Sequence, residues 1–155
     1  MEIKVIMLIN LVAYSFMVSQ SFSYIIALTD VQKNMQPAAY IELRKLLDKN
    51  YRAKYSIVIY TSLITGILLT ILSSMNLSGI LFISSAIALA ALIADIILAV
   101  KGNVPINKII NTWSVETYPH NWTDYRARWL SIFAKRQIVN IVGFLSLLLG
   151  AIFGS

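Results

Sequence analysis

The sequence predicts an all-α integral membrane protein: one transmembrane domain over residues 1–155, a bundle of four spanning helices, with an amphipathic interfacial helix in the first cytoplasmic loop. Three observations predict it. Hydrophobic residues make up 58 % of the 155-residue chain and charged residues only 13 %, about half the roughly 25 % charged share of a soluble domain. A soluble fold of this size has too small a core to hide that much apolar surface, and a bilayer accepts it. Four apolar stretches each reach the roughly 20 residues needed to cross about 30 Å of hydrocarbon. Finally, twelve of the 13 Lys and Arg residues fall between spans one and two, or between span three and the start of span four.

The first span is expected over residues 3–28. It is not read as a removable signal peptide, because its only basic residue is Lys4 beside Glu2 and no small-x-small cleavage site follows. The loop after it carries Lys33, Arg44, Lys45, Lys49, Arg52 and Lys54. Within that loop Pro37 suits the first turn of a helix. Tyr40, Leu43, Leu46 and Leu47 then recur at helical spacing, with Glu42, Arg44, Lys45 and Lys49 on other faces.

The second span is expected over residues 55–75 and the third over 77–100, with a short turn between them. Another basic stretch follows: Lys101, Lys108, Arg126 and Arg128, continuing to Lys135 and Arg136 at the start of the fourth span, residues 129–153. Only Lys4 lies on the other side. Positively charged loops stay in the cytoplasm, so both termini and the turn at 75–79 face outward. The expected location is a plasma membrane, the inner one in a bacterium.

Composition also excludes several functions. The chain has no cysteine and a single histidine, His120, so disulfides, thiol chemistry, iron–sulfur clusters and multi-histidine metal sites are excluded and no metal is assigned. The net charge of +6 reflects membrane insertion and does not point to nucleic acid.

Polar residues inside a bilayer are costly and are therefore site candidates. Asp95 sits about 7–8 Å inside the cytoplasmic end of span three. Arg136 is its expected partner, with Lys101 the alternative. Span one carries Asn10, Tyr14, Met17, Ser21 and Tyr24 on one stripe, with Gln20 close by. Span four carries Arg136, Asn140, Gly143, Leu147, Gly150 and Gly154 on one face, a pattern that suits close helix packing. Gln20, Asn140, Asp95 and Arg136 are expected to line a polar pocket or to pair as structural glue. Pro105 biases Val104 away from helix. A helix starting near Pro105 places Asn107 and Asn111 one turn apart on one face. Trp113, His120, Trp122, Tyr125 and Trp129 make the remainder of this segment aromatic.

The run Asn103-Val-Pro105-Ile-Asn107, followed by an aromatic loop, Trp122, Arg126-Ala-Arg128-Trp129 and Arg136, resembles the anthrone oxygenase-like family of small four-helix membrane proteins. The resemblance implies cofactor-independent oxidation of a lipophilic aromatic substrate by molecular oxygen, with Asn103, Asn107, Trp129 and Arg136 as the matched positions. For that reaction we assign Arg136 and the amides to stabilise an oxyanion and Asp95 or His120 to be the base, with Gln20, Trp122, Trp129 and Asn140 as binding candidates. The competing expectation is a non-catalytic membrane subunit or assembly factor of a larger complex. Besides the bilayer, the partners considered are therefore a lipophilic aromatic small molecule and a membrane protein or second copy. A transporter ranks last, because the chain has no inverted repeat.

Overall fold

The computed structural model describes residues 2–76 and 78–154; Leu77, where the third span is expected to begin, lies outside them. The described chain is four long helices: α1 (Glu2–Asn34), α2 (Pro37–Ser73), α3 (Ile80–Asn111) and α4 (Trp122–Phe153), each long and apolar enough to cross a membrane.

The helices are longer than spans alone require. At 1.5 Å per residue, the 37 residues of α2 reach roughly 55 Å, against about 30 Å of hydrocarbon. The segment after Pro37 is helical, as its periodicity predicts, and runs without a break into the second apolar stretch. The first loop thus shrinks to Met35 and Gln36, whose extended backbone precedes the proline. Arg126 fastens this turn, its Nη1 donating to the carbonyls of Gln32 (3.1 Å) and Met35 (2.9 Å).

Successive helices run antiparallel. Asn10 Nδ2 of α1 donates to the Ser62 carbonyl of α2 at 3.3 Å. Ser73 and Ser85 hydroxyls of α2 and α3 bond at 3.2 Å. The α3–α4 seam is the most extensive in the bundle, and glycine makes it possible: a Cβ on Gly143 would fall on the Tyr14 hydroxyl and 3.0 Å from the Ala91 Cβ. The predicted stripes face inward, since Asn10, Tyr14, Met17, Ser21 and Tyr24 on α1, and Arg136, Asn140, Gly143, Leu147 and Gly150 on α4, are all buried.

α1 and α3 each contain one wide, π-helical turn. In α1 the Thr29 N–H reaches the Tyr24 carbonyl, and in α3 the Val104 N–H reaches the Ala99 carbonyl. Val104 is helical (φ −61°, ψ −45°), contrary to the bias expected before Pro105. The wide turn explains this. A proline in a helix lacks an N–H and crowds the carbonyl four residues back, and a π turn just before it opens the ladder at that place.

Two buried clusters fill the bundle. The one towards the basic end is aromatic (Tyr24, Tyr40, Trp113, Trp129, Phe133, with Ile41, Ile106, Ile110 and Leu130). The other is aliphatic around Met7, Tyr14, Met17, Leu69, Leu92 and Leu147.

Candidate functional site

Two linked polar centres lie at and beside the aromatic cluster. The first is built on Arg136. Its Nε donates to Asp95 Oδ1 at 2.7 Å and its Nη2 to Asp95 Oδ2 at 3.2 Å, the fork-on-carboxylate arrangement in which a planar guanidinium is most effective. Its Nη1 donates to Asn103 Oδ1 at 3.3 Å, and Asn140 Nδ2 donates to Asp95 Oδ1 at 3.1 Å. Asp95 is 1 % exposed and Arg136 9 %, so each charge depends on the other for compensation.

The π turn of α3 enables this meeting. In a plain α-helix eight residues would leave Asn103 roughly 80° round the axis from Asp95. The extra residue in the wide turn takes that rotation back, so one arginine reaches both.

The second centre is built on Asn107. Its Oδ1 accepts from Arg44 Nη2 at 2.8 Å and from Trp129 Nε1 at 2.9 Å. Its Nδ2 donates to Asp48 Oδ1 at 2.9 Å. One turn on, Asn111 Nδ2 donates to Asp48 Oδ2 at 2.7 Å, and Arg52 Nε pairs with that oxygen at 2.9 Å. Arg44 lies flat on the Trp129 ring, its Cζ 3.7 Å from the centroid, while its Nη1 donates to the Tyr24 hydroxyl at 3.4 Å. Burial pulls the Arg44 guanidinium below its ordinary pKa, opposed by Tyr24, Tyr40 and Asp48. Asn103 joins the two centres, its Nδ2 donating to the Trp129 carbonyl at 3.0 Å.

Between them opens a cleft of about 330 Å³, walled by Arg44, Asp48, Tyr51 and Tyr55 of α2, Asn103 and Asn107 of α3, and Trp129, Phe133 and Arg136 of α4, with Gln20 of α1 also lining it. Guanidiniums outnumber carboxylates there. Arg44, Arg52 and Arg136 line it, against Asp48 on the wall and Asp95 paired to Arg136. Arg136 uses three N–H donors on Asp95 and Asn103, so two of the five a guanidinium carries are left over. The Trp129 ring is covered by Arg44 and stacks with Phe133, centroids 5.0 Å apart, so such a wall can set a planar molecule beside this aromatic stack and an anionic oxygen against arginine.

Of the residues singled out in the sequence, Gln20, Asn103, Asn107, Trp129 and Arg136 share this cleft. Asp95 and Asn140 are buried beside Arg136 and hold it without lining the space. Trp122 lies elsewhere, half-buried against Tyr40 (centroids 5.9 Å apart) and under Arg126. His120 is exposed and outside the cleft. Sequence reasoning missed Arg44 and Asp48 as site residues. The available signal was the Arg44–Asp48–Arg52 spacing of four, which stacks the three on one helix face. Among the described residues no three His, Asp or Glu side chains gather to hold a metal ion.

No protein-family model matches the chain, and no curated protein or solved structure is detectably similar to it.

Proposed function

We propose that this is an integral membrane protein with the cleft at its cytoplasmic, inner-leaflet end, and that it oxidises a lipophilic aromatic substrate of the anthrone type with molecular oxygen, needing no cofactor. The observation that carries the reading is the cleft itself: an aromatic and arginine-rich wall set between the apolar bundle and its basic end. The reaction balances without a further reagent. The substrate's acidic CH2 loses a proton, the carbanion adds oxygen to give a hydroperoxide, and loss of water leaves a ketone.

In this reading the planar rings stack beside Trp129 and Phe133. The free N–H groups of Arg136 and Arg44 face the enolate oxygen and favour ionisation. Asn103 and Asn107 already spend their amides on the Trp129 carbonyl and on Asp48, so their part is to hold Trp129 and Arg136 in place. Asp95 is bonded to Arg136 through both oxygens and does not line the cleft, so its part is to orient Arg136. Asp48 is also bonded through both oxygens, to Asn107, Asn111 and Arg52, but it is the carboxylate on the wall and is the group placed to take the proton.

Native mass spectrometry of protein gently extracted from its own membranes is the test. A monomer or small homo-oligomer that retains an aromatic or quinone-like molecule is the expected result. Recovery only inside a larger hetero-complex with no small molecule bound would overturn it and leave a non-catalytic subunit.

A further inference from the structure

The cleft has a polar roof and, below it between α2 and α3, a flank of small and aliphatic side chains. The roof ties α2 to α3 through Asp48–Asn107 (2.9 Å), Asp48–Asn111 (2.7 Å) and Arg44–Asn107 (2.8 Å). The same two helices are fastened again at the opposite end by Ser73 and Ser85 (3.2 Å). Between these fastenings the rim of the cleft is Ser56 and Ile59 on α2 and Ala99 and Val104 on α3. All four are small or aliphatic, and all are half-buried. They begin one turn below Arg52 and belong to stretches apolar enough to lie in hydrocarbon. The roof is thus polar and hydrogen-bonded, and the flank below it, Ser56 apart, is apolar.

We propose that the cleft is entered sideways from the bilayer, between α2 and α3, and that its ligand is a membrane-dissolved amphiphile with an acidic aromatic head and an aliphatic tail. The site is rested on the membrane reading above and adds to it a route and a shape. The head turns in beneath the roof towards Trp129 and Arg136. A buried arginine there, Arg44, has an Nε with no hydrogen-bond partner, so the wall retains donor capacity for an anionic oxygen. The tail stays along Ile59, Ala99 and Val104, which offer only apolar contact, and continues into lipid. A ligand arriving from water would have to part the bonds among Arg44, Asp48, Asn107 and Asn111. One arriving from the leaflet breaks none of them. The π turn at Ala99–Asn103 lies on this rim, and a wide turn at a mouth is a common functional use of that geometry.

Fluorescence quenching tests the route, because Trp129 is 3 % exposed and lines the cleft, so only something inside the cleft comes within contact of its ring. The chain has three tryptophans, so Trp113→Phe with Trp122→Phe leaves Trp129 alone. If that variant does not fold, the same signal is read from the full chain by difference with Trp129→Phe. The probe is a long-chain 4-alkylphenol brominated on its ring, dissolved in phosphatidylcholine vesicles that hold the protein. Quenching is expected to saturate with the probe's mole fraction in the bilayer. Filling the rim with Ser56→Phe and Val104→Phe, or with Ile59→Phe, moves half-saturation upward about tenfold, and aqueous iodide leaves Trp129 emission unchanged. A quenching curve that the rim variants do not alter, or strong quenching by iodide, overturns sideways entry. Saturable quenching by the phenol, with no oxygen uptake when an alkyl-substituted anthrone takes its place in the same vesicles, would keep the route and remove the oxygenase reading, whereas anthrone-dependent oxygen uptake that survives a filled rim would do the reverse.

Discussion

Arg136 and Asp95 show why single residues matter most where water is scarce. Both are buried, and their charges compensate one another across the α3–α4 seam through a forked contact. Asp95→Ala leaves the guanidinium buried with only Asn103 to meet it, and removal of one partner from such a pair costs roughly 3–5 kcal/mol. The expected outcome is a large loss of thermal stability in detergent, while Asp95→Asn, which still accepts from Arg136, loses less. Equal melting of Asp95→Ala and the parent protein would show that the pair does not hold the seam. Tyr40 gives a second, opposite case. It is fully buried, and its hydroxyl has no hydrogen-bond partner. Burial pushes its pKa from 10.0 up to about 12, raised further by Tyr24 and opposed by Arg44 and Arg126. The folded state therefore prefers the neutral phenol. Its contribution is fully present below pH 10 and is lost as pH rises from 10 towards 12, on the order of 2–3 kcal/mol at 1.36 kcal/mol per unit. Tyr40→Phe should flatten the alkaline side of a stability–pH curve, and an unchanged curve would place that loss elsewhere.

At the scale of helices, the bundle is set by how closely α4 approaches α1 and α3. Gly143 sits where any Cβ meets the Tyr14 hydroxyl. Gly143→Ala should destabilise the protein by about 1–3 kcal/mol through overpacking. Tyr14→Phe, which removes the obstructing oxygen but leaves the ring carbon Cζ 2.8 Å and the Ala91 Cβ 3.0 Å from the added methyl, should recover part of that loss in the double variant. Additive effects in a thermal double-mutant cycle would disprove the contact. These close approaches were legible in the sequence, because buried stripes on α1 and α4 show as a period in residue type. The meeting of Asp95 with Arg136 was legible for a related reason: a charge within an apolar run needs a partner, and few were within reach. The Asn107–Asn111 face was legible from spacing alone. Arg44 and Asp48 were not, because on an amphipathic helix they look like any solvated charges, and their partners lie on α3. The π turns were not legible either. Pro105 marks the place in α3 only as a disturbance of the ladder and not as a wide turn, so the phase shift that turns Asn103 towards Arg136 could not be read from spacing. The length of α2 was missed because the charges between Pro37 and Lys54 read as a boundary, although the helix passes straight through them.

For the molecule as a whole, charge distribution is the argument for which way the bundle stands. The antiparallel order brings the ends of α1 and α3 and the starts of α2 and α4 to one end, and twelve of the 13 Lys and Arg residues lie between Lys33 and Lys54 or between Lys101 and Arg136. Moving such a cluster across a membrane during insertion is unfavourable, so the orientation proposed above keeps the basic end in the cytoplasm. Lys4 alone does not counter it. In that proposed orientation the cleft, with Arg44, Asp48 and Arg136, is at the inner leaflet. The chain has no cysteine, so an introduced thiol is the sole reactive one. Glu2→Cys and Ser78→Cys should react with a membrane-impermeant maleimide in intact cells. Lys49→Cys and His120→Cys should react only after the membrane is opened, since Lys49 and His120 are both exposed on the basic side. The reverse pattern would turn the bundle over and put the cleft at the outer leaflet. A mixed pattern within one variant would mean that twelve charges against one are too few to fix a single orientation, and the basic end would then owe its charge to a partner.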